Sequence, residues 1–200
     1  GGFIGKELKL QKKCFVFGID FFSLDKKIKL DNFIKYDLEK GMPKSIKLGF
    51  DFILLLDILE HLSEPEKFLD EVYEFLKLHP NTKIYASTGN VAFFITRLSL
   101  LLGNFNYSKK GILDITHKRL FTKKSFSNLF YRSGFNVTKV IPIPGPWVLI
   151  FGDNFFGHLI LNFNNILCKL LPGLFAYQFF LEVKPKSHLD YLLKTAKKIS

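Results

Sequence analysis

Hydrophobic residues recur along this chain in two rhythms. Short continuous apolar runs alternate with stretches in which apolar positions return every three or four residues. Cys14 to Ile19 is one such run and stops at Asp20; Phe50 to Leu56, apolar but for Asp51, stops at Asp57; Phe33 to Tyr36 reads as a short strand that ends at Asp37. Apolar runs of this length predict strands buried on both faces. Lys83 to Ala86, Val137 to Ile143 and Gln178 to Val183 predict three more. Gly1 to Gly5 reads as a glycine turn leading into a helix that runs to about Lys13. Glu64 to Leu76 predicts an amphipathic helix with Phe68, Leu69, Val72, Phe75 and Leu76 on one face, Ser63 as N-cap and Pro65 in the first turn. Phe93 to Leu102 and Lys123 to Ser133 predict two further helices, the second closed by Gly134. Gly103 to Thr116 reads as a loop between them.

Strands that alternate with helices predict an α/β fold with a mostly parallel sheet, here as one domain over residues 1–200. In such sheets ligands lie beyond the carboxyl ends of the strands. Three successive strands ending in Asp20, Asp37 and Asp57 therefore point to a polar ligand with several hydrogen-bond donors.

Trp147 to Phe175 interrupts the last two strands. Phe155, Phe156, Leu159, Ile160, Phe163, Leu167 and Leu170 recur there at helical spacing, with Asn154, His158, Asn162 and Lys169 among the polar residues between them. The polar residues exclude a transmembrane helix, which needs about twenty mostly apolar residues. The segment predicts an amphipathic helical hairpin, broken near Pro172-Gly173, with an exposed apolar surface that contains some of Trp147, Phe151, Phe155, Phe156 and Phe163. Three uses stay open: a lid on the sheet, a membrane-surface contact, or a dimer seam.

Composition adds little that is decisive. Phe occurs 24 times, which fits either an AT-rich coding sequence or a greasy surface that covers itself against a membrane or partner. The net charge of +11 favours polyanionic partners without choosing among them. The lysines are dispersed, so no specific nucleic-acid interface is expected. Cys14 and Cys168 form no Cys-x-x-Cys pair, which removes zinc and redox motifs and fits a reducing, cytoplasmic compartment. The chain opens on Gly1-Gly2 without a signal peptide or an initiator Met, so further residues are expected upstream.

Candidate chemistry begins at Gly2 and Gly5, three residues apart like the last two glycines of a G-x-G-x-x-G turn, where a ligand can approach the backbone. Asp20 follows Gly2 by eighteen residues, the spacing of an acid that accepts from ribose hydroxyls. A nicotinamide dinucleotide and S-adenosylmethionine both fit that pattern.

The segment Asp57-Ile58-Leu59-Glu60-His61-Leu62 resembles the D-x-L-E-H-L segment of class I methyltransferases, above all the bacterial group with ubiquinone-type and small-molecule O-methyltransferases. Val16 to Asp20, Tyr36-Asp37-Leu38, Gly111 to His117 and Arg132 to Phe135 match further pieces in the same order. The resemblance covers roughly Gly1 to Pro144, and at Gly89 the family usually has proline. It implies a Rossmann-like sheet whose last strand, Gln178 to Val183, runs antiparallel beside Val137 to Ile143, and whose first strand and first glycine lie upstream of residue 1. It implies S-adenosylmethionine as cofactor. Gly2 and Gly5 would pass under its methionine part, Asp20 would hold the ribose, Asp37 and Leu38 the adenine, and Leu56 and Asp57 would lie near the amino group.

Methyl transfer to oxygen also needs a base near the acceptor. His61, just past a strand end, and His117, with Asp114 to orient it, are the candidates; each could equally be a structural histidine. Glu60 with His61 offers only two adjacent metal ligands, so no metal is expected. The reading is methyl transfer to an oxygen or nitrogen of a small-molecule, sugar or lipid-linked acceptor, bound by residues 93–116 and 147–175. A nicotinamide-dependent oxidoreductase and a non-catalytic binding module are the alternatives.

Overall fold

The computed structural model describes residues 2–186. They form two compact units that divide between Lys47 and Leu48.

The first unit opens on helix α1 (Phe3–Lys12), with Gly2 in the left-handed region at its N-cap. Strands β1 (Phe17–Asp20) and β2 (Asn32–Lys35) then pair in parallel, Phe17 opposite Asn32 and Asp20 opposite Lys35. The glycine turn is shorter than predicted, because Gly5 already lies in the first turn of α1. A Cβ there would stand 3.1 Å from both Leu30 Cδ2 and Val16 Cγ1, so its lack of a side chain lets the helix approach the strand. The predicted first strand loses Cys14 to Val16: Lys13 ends α1 in the left-handed region, and the chain straightens only afterwards.

The second unit is built on four strands in the order β3-β4-β6-β5. Strand β3 (Phe52–Leu56) pairs in parallel with β4 (Lys83–Gly89), and helix α2 (Pro65–Leu76) connects them. Strand β6 (Gln178–Pro185) lies between β4 and β5 (Phe135–Ile143), antiparallel to both. Three of the four strands thus share one direction, and the reversed strand is the last one, as the resemblance implies. Alternation fixes the register: Ile84, Ala86, Leu181 and Val183 are fully buried and paired across the β4–β6 ladder.

Helix α2 buries Phe68, Leu69, Val72, Tyr73 and Leu76. Tyr73 takes the place expected for Phe75, its ring 5.5 Å from Phe135. Its N-cap is Glu64, not Ser63, whose hydroxyl instead accepts from Lys118 Nζ at 2.9 Å. Helix α3 (Phe94–Leu101) follows β4. Helix α4 (Lys123–Arg132) starts on a capping box between Thr122 and Ser125 and packs on α2, β5 and β6.

The 147–175 segment is helical in three pieces rather than a hairpin broken once: α5 (Trp147–Phe151), α6 (Phe155–Leu170) and α7 (Pro172–Phe175). The additional break is at Gly152, which adopts φ 88°. Asn154 then caps α6 by accepting from Gly157 N at 2.9 Å, and a Cβ on Gly157 would strike the Gly152 carbonyl.

Candidate functional site

In the first unit, Asp20 ends β1 and Asp37 follows β2. Each carboxylate spends Oδ1 on its own turn: Asp20 accepts from Phe22 N at 2.9 Å, and Asp37 from Glu39 N at 3.0 Å. The second bond caps a single 3-10 turn over Leu38–Lys40. In each, the bond from the turn's N–H fixes the carboxylate's direction. Both side chains are half-buried, as is Leu38.

In the second unit, Asp57 follows Leu56 at the end of β3 with φ 51°, a left-handed conformation that a non-glycine residue adopts at a cost. Its Oδ1 accepts from Ser87 Oγ at 2.9 Å and from Gln178 Nε2 at 2.6 Å, so neighbouring β4 and β6 both hold it. Its backbone N donates to the Ser87 carbonyl at 3.2 Å.

Three residues on, Glu60 is 2% exposed and its Oε2 has no hydrogen-bond partner. Burial pushes its carboxyl up to about 7, helped by the charge of Asp57 and opposed by hydrogen bonds from its own N–H, the Thr88 hydroxyl and the Gly89 N–H.

The two histidines meet, with ring centroids 4.8 Å apart and planes at 70°. His117 Nδ1 faces the Ile112 carbonyl at 3.0 Å, and His61 Nδ1 faces the Thr116 carbonyl at 3.2 Å. A carbonyl partner selects the tautomer with the proton on Nδ1, which leaves Nε2 as the basic nitrogen. Asp114 does not orient His117 through its carboxylate. Its Oδ1 accepts from Thr116 N at 2.8 Å and from Thr116 Oγ1 at 2.7 Å, closing its own turn. Those bonds hold its carboxyl below the usual range, with the nearby His117 and His61 adding to the effect.

A cavity of about 360 Å³ lies between α3, the loop that follows it, and α5. Phe93, Ile112, Trp147 and Tyr177 give it aromatic and apolar walls. Ser99, Asn104, Asn106, Ser108 and Lys110 supply donors, and no carboxylate or imidazole lines it. Tyr177 joins the cavity to the strand-end acid: it precedes Gln178, and both burial and the charge of Asp57 raise its phenol. That phenol stays a donor at neutral pH. Among the described residues no group of three His, Cys, Asp or Glu side chains could hold a metal ion.

Trp147 is held by Asn164 of α6, whose Oδ1 accepts from Trp147 Nε1 at 2.8 Å and Gly145 N at 2.9 Å. Trp147 is the only tryptophan in the chain, so its emission reports the cavity wall directly. Asn164→Ala should move that emission to longer wavelength; an unchanged spectrum would show that packing against Phe93 and Phe94, not the hydrogen bond, holds the ring.

Sequence reasoning found Asp57 but not its partners Ser87 and Gln178, nor Tyr177 and Asn164. An isolated Gln or Asn at a strand or helix position carries no local sign of a partner 121 residues away, as Gln178 is from Asp57.

Comparison with known proteins agrees with the architecture. No curated protein matches the sequence. Among solved structures the chain is similar to an S-adenosylmethionine-dependent methyltransferase from Archaeoglobus fulgidus, at 16% identity and TM-score 0.52, over 90% of this chain and 80% of that one. It is also similar to the 1,6-didemethyltoxoflavin-N1-methyltransferase of Burkholderia thailandensis, solved with its acceptor and S-adenosylhomocysteine, at 12% identity and TM-score 0.56, over 94% and 68% of the two chains. Of the mitomycin 7-O-methyltransferase MmcR it spans 32%, with 75% of this chain covered at 13% identity and TM-score 0.42. The two likenesses above 0.5 share its Rossmann-like α/β fold. The sequence matches the model of the methyltransferase domain over residues 6–140, and the chain belongs to that family.

Proposed function

We propose that this protein transfers a methyl group from S-adenosylmethionine to a small-molecule acceptor held in the cavity beside Tyr177. The observation that carries this reading is the link between Asp57 and the cavity. The strand-end acid that the family resemblance places near the methionine amino group is bonded by Gln178, and the preceding residue lines the cavity. A methyl donor on one side and an acceptor on the other need that proximity. The Burkholderia relative, solved with S-adenosylhomocysteine, supports the choice of cofactor.

The chain's own residues fit the cofactor. Asp20 and Asp37 each offer an oriented carboxylate oxygen to hydroxyl or amino donors. Leu38 offers an apolar surface to the adenine, whereas Gly2 and Gly5 are packed internally: a Cβ on Gly2 would meet Leu24 and Ile28, and one on Gly5 would meet Leu30 and Val16. Leu56 and Asp57 take the methionine end. When bound, the cofactor supplies an electrophilic methyl carbon, so the protein needs chiefly to align the acceptor and exclude water. The aromatic walls do both. His117 is the base for an oxygen acceptor only from behind the cavity wall, where its Nδ1 faces the carbonyl of Ile112, a lining residue, so the acceptor has to reach past Ile112; His61 lies edge-on against it, and Asp114 fixes the turn that carries Thr116.

Calorimetry tests the assignment. S-adenosylhomocysteine should bind, and Asp20→Ala should weaken binding by about 1.5–3 kcal/mol, the scale of a hydrogen bond to a charged group. NADH binding in its place would move the protein to the oxidoreductases; no binding of either would make it a non-catalytic module.

A further inference from the structure

Helix α6 presents three faces. Gly157, Asn164 and Cys168 are buried against the unit. His158, Asn162, Asn165 and Lys169 form a polar strip. Phe155, Phe156, Leu159, Phe163, Ile166 and Leu170 are all exposed, Phe155 by 84%. At about 100° per residue these six fall within a single arc of about 100°. A helix that packs only as a lid has no reason to turn such a stripe outward.

The neighbouring helices continue the pattern. Leu149 of α5 is 87% exposed, and Leu98 and Leu101 of α3 are exposed, Leu101 by 82%. The cavity lies where these helices meet, for Ile95 of α3 and Ile150 of α5 both line it and are both exposed. The cavity mouth is therefore rimmed by apolar surface. Along α3 and the loop after it, and along α5 to α7, the cations are Arg97, Lys109, Lys110 and Lys169 against Asp114 and Asp153. Lys109 and Lys110 stand in the loop after α3, Lys110 on the cavity wall.

We propose that the exposed apolar face of α3, α5 and α6 docks on the surface of an anionic lipid bilayer, and that the cavity draws a lipophilic acceptor from it. The second half rests on the cavity being the acceptor site; the first does not. The charge selects the occupant. Two copies meeting through this face would bring like charges together, whereas anionic headgroups would neutralise them. No described helix is long and apolar enough to cross a membrane, so α6 lies in the interface with its polar strip toward water.

Flotation with vesicles of phosphatidylcholine, with and without phosphatidylserine, tests the docking. The protein should float with the anionic vesicles and far less with the neutral ones. Phe155→Asp with Phe156→Asp should lower partitioning by on the order of a hundredfold. Asn162→Asp with Asn165→Asp, on the polar strip, should lower it much less. S-adenosylhomocysteine affinity and Trp147 emission in solution should be unchanged in the Phe variant, which shows that it folds. Anionic vesicles with brominated acyl chains should quench Trp147, as a cavity opening into the bilayer requires. Absence of flotation overturns the proposal. So does a dimer that the Phe variant splits while vesicles bind neither form. Flotation without quenching overturns the lipophilic acceptor alone. Because flotation is read without cofactor, loss of the methyltransferase reading would leave it standing.

Discussion

Replacing Asn90 by alanine should lower the melting temperature by roughly 10 °C, on a loss of about 3 kcal/mol for a chain of this size. Asn90 follows β4 and is fully buried. Its Nδ2 donates to the Ala176 carbonyl at 2.8 Å and the Gly173 carbonyl at 3.2 Å, and its Oδ1 accepts from Ala92 N at 3.1 Å. Its own backbone N donates to the Tyr177 carbonyl at 2.8 Å. One amide thus ties the end of β4, the turn before α3 and the α7–β6 connection. Alanine would leave three backbone groups to find new partners, and Ala176 is fully buried, out of reach of water. The same replacement at exposed Asn104, which makes only a 3.5 Å contact to the Leu102 carbonyl, should change little. Equal melting temperatures for the two variants would show that water satisfies the groups Asn90 leaves behind. Because the tie fixes Tyr177, the Asn90 variant should also weaken whatever binds in the cavity.

The strands were legible because short apolar runs closed by a polar residue mark them, although β3 is not buried on both faces as such a run predicts: Phe52 and Leu54 are exposed. Phe52 to Leu56 and Gln178 to Val183 stood out in this way. Their ends were less so: β4 extends to Gly89 rather than Ala86, since Ser87 and Thr88 are polar yet buried in the ladder beside Phe180 and Phe179. The antiparallel pairing of β6 with β5 came from resemblance alone, and its second partner, β4, was not foreseen, for nothing in the local pattern says which strand it pairs with. Asp57 was visible as an acid closing an apolar run. Its positive φ and its two side-chain partners were not, because they depend on where β4 and β6 come to lie.

The 147–175 segment shows the same division. Helical periodicity was plain, and Phe151, Phe155, Phe156 and Phe163 are exposed as expected. Trp147 is buried instead, because Asn164 holds its indole against the cavity. The break at Gly152 was overlooked beside the more conspicuous Pro172-Gly173. Asp114 and His117 were read as a pair from their spacing, but an aspartate two residues before a threonine closes its own turn first. Local bonds of this kind outcompete a longer reach, and spacing alone does not reveal them.

Glu60→Gln should stabilise the protein at pH 8 and leave it almost unchanged near pH 4.5. The wild-type carboxyl is buried and raised to about 7, against 4.5 in an unfolded chain. Between those values the native state keeps a proton that the unfolded chain has already released. Stability from this group is therefore complete below 4.5, falls as pH rises through the window, and levels off above 7. A shift of that size corresponds to about 3 kcal/mol, or roughly 10 °C in melting temperature. Glutamine keeps the shape and one acceptor oxygen for Thr88 and Gly89 but has no proton to lose. Every other titrating group is common to both proteins, so the difference between their melting curves, taken from pH 4.5 to pH 8, isolates Glu60. Parallel curves would mean that water or a neighbouring cation reaches the carboxylate on ionisation. A widening gap would identify Glu60 as a buried carboxyl whose ionisation beside Asp57 is resisted, at the end of β3 where the cofactor's amino group is proposed to lie.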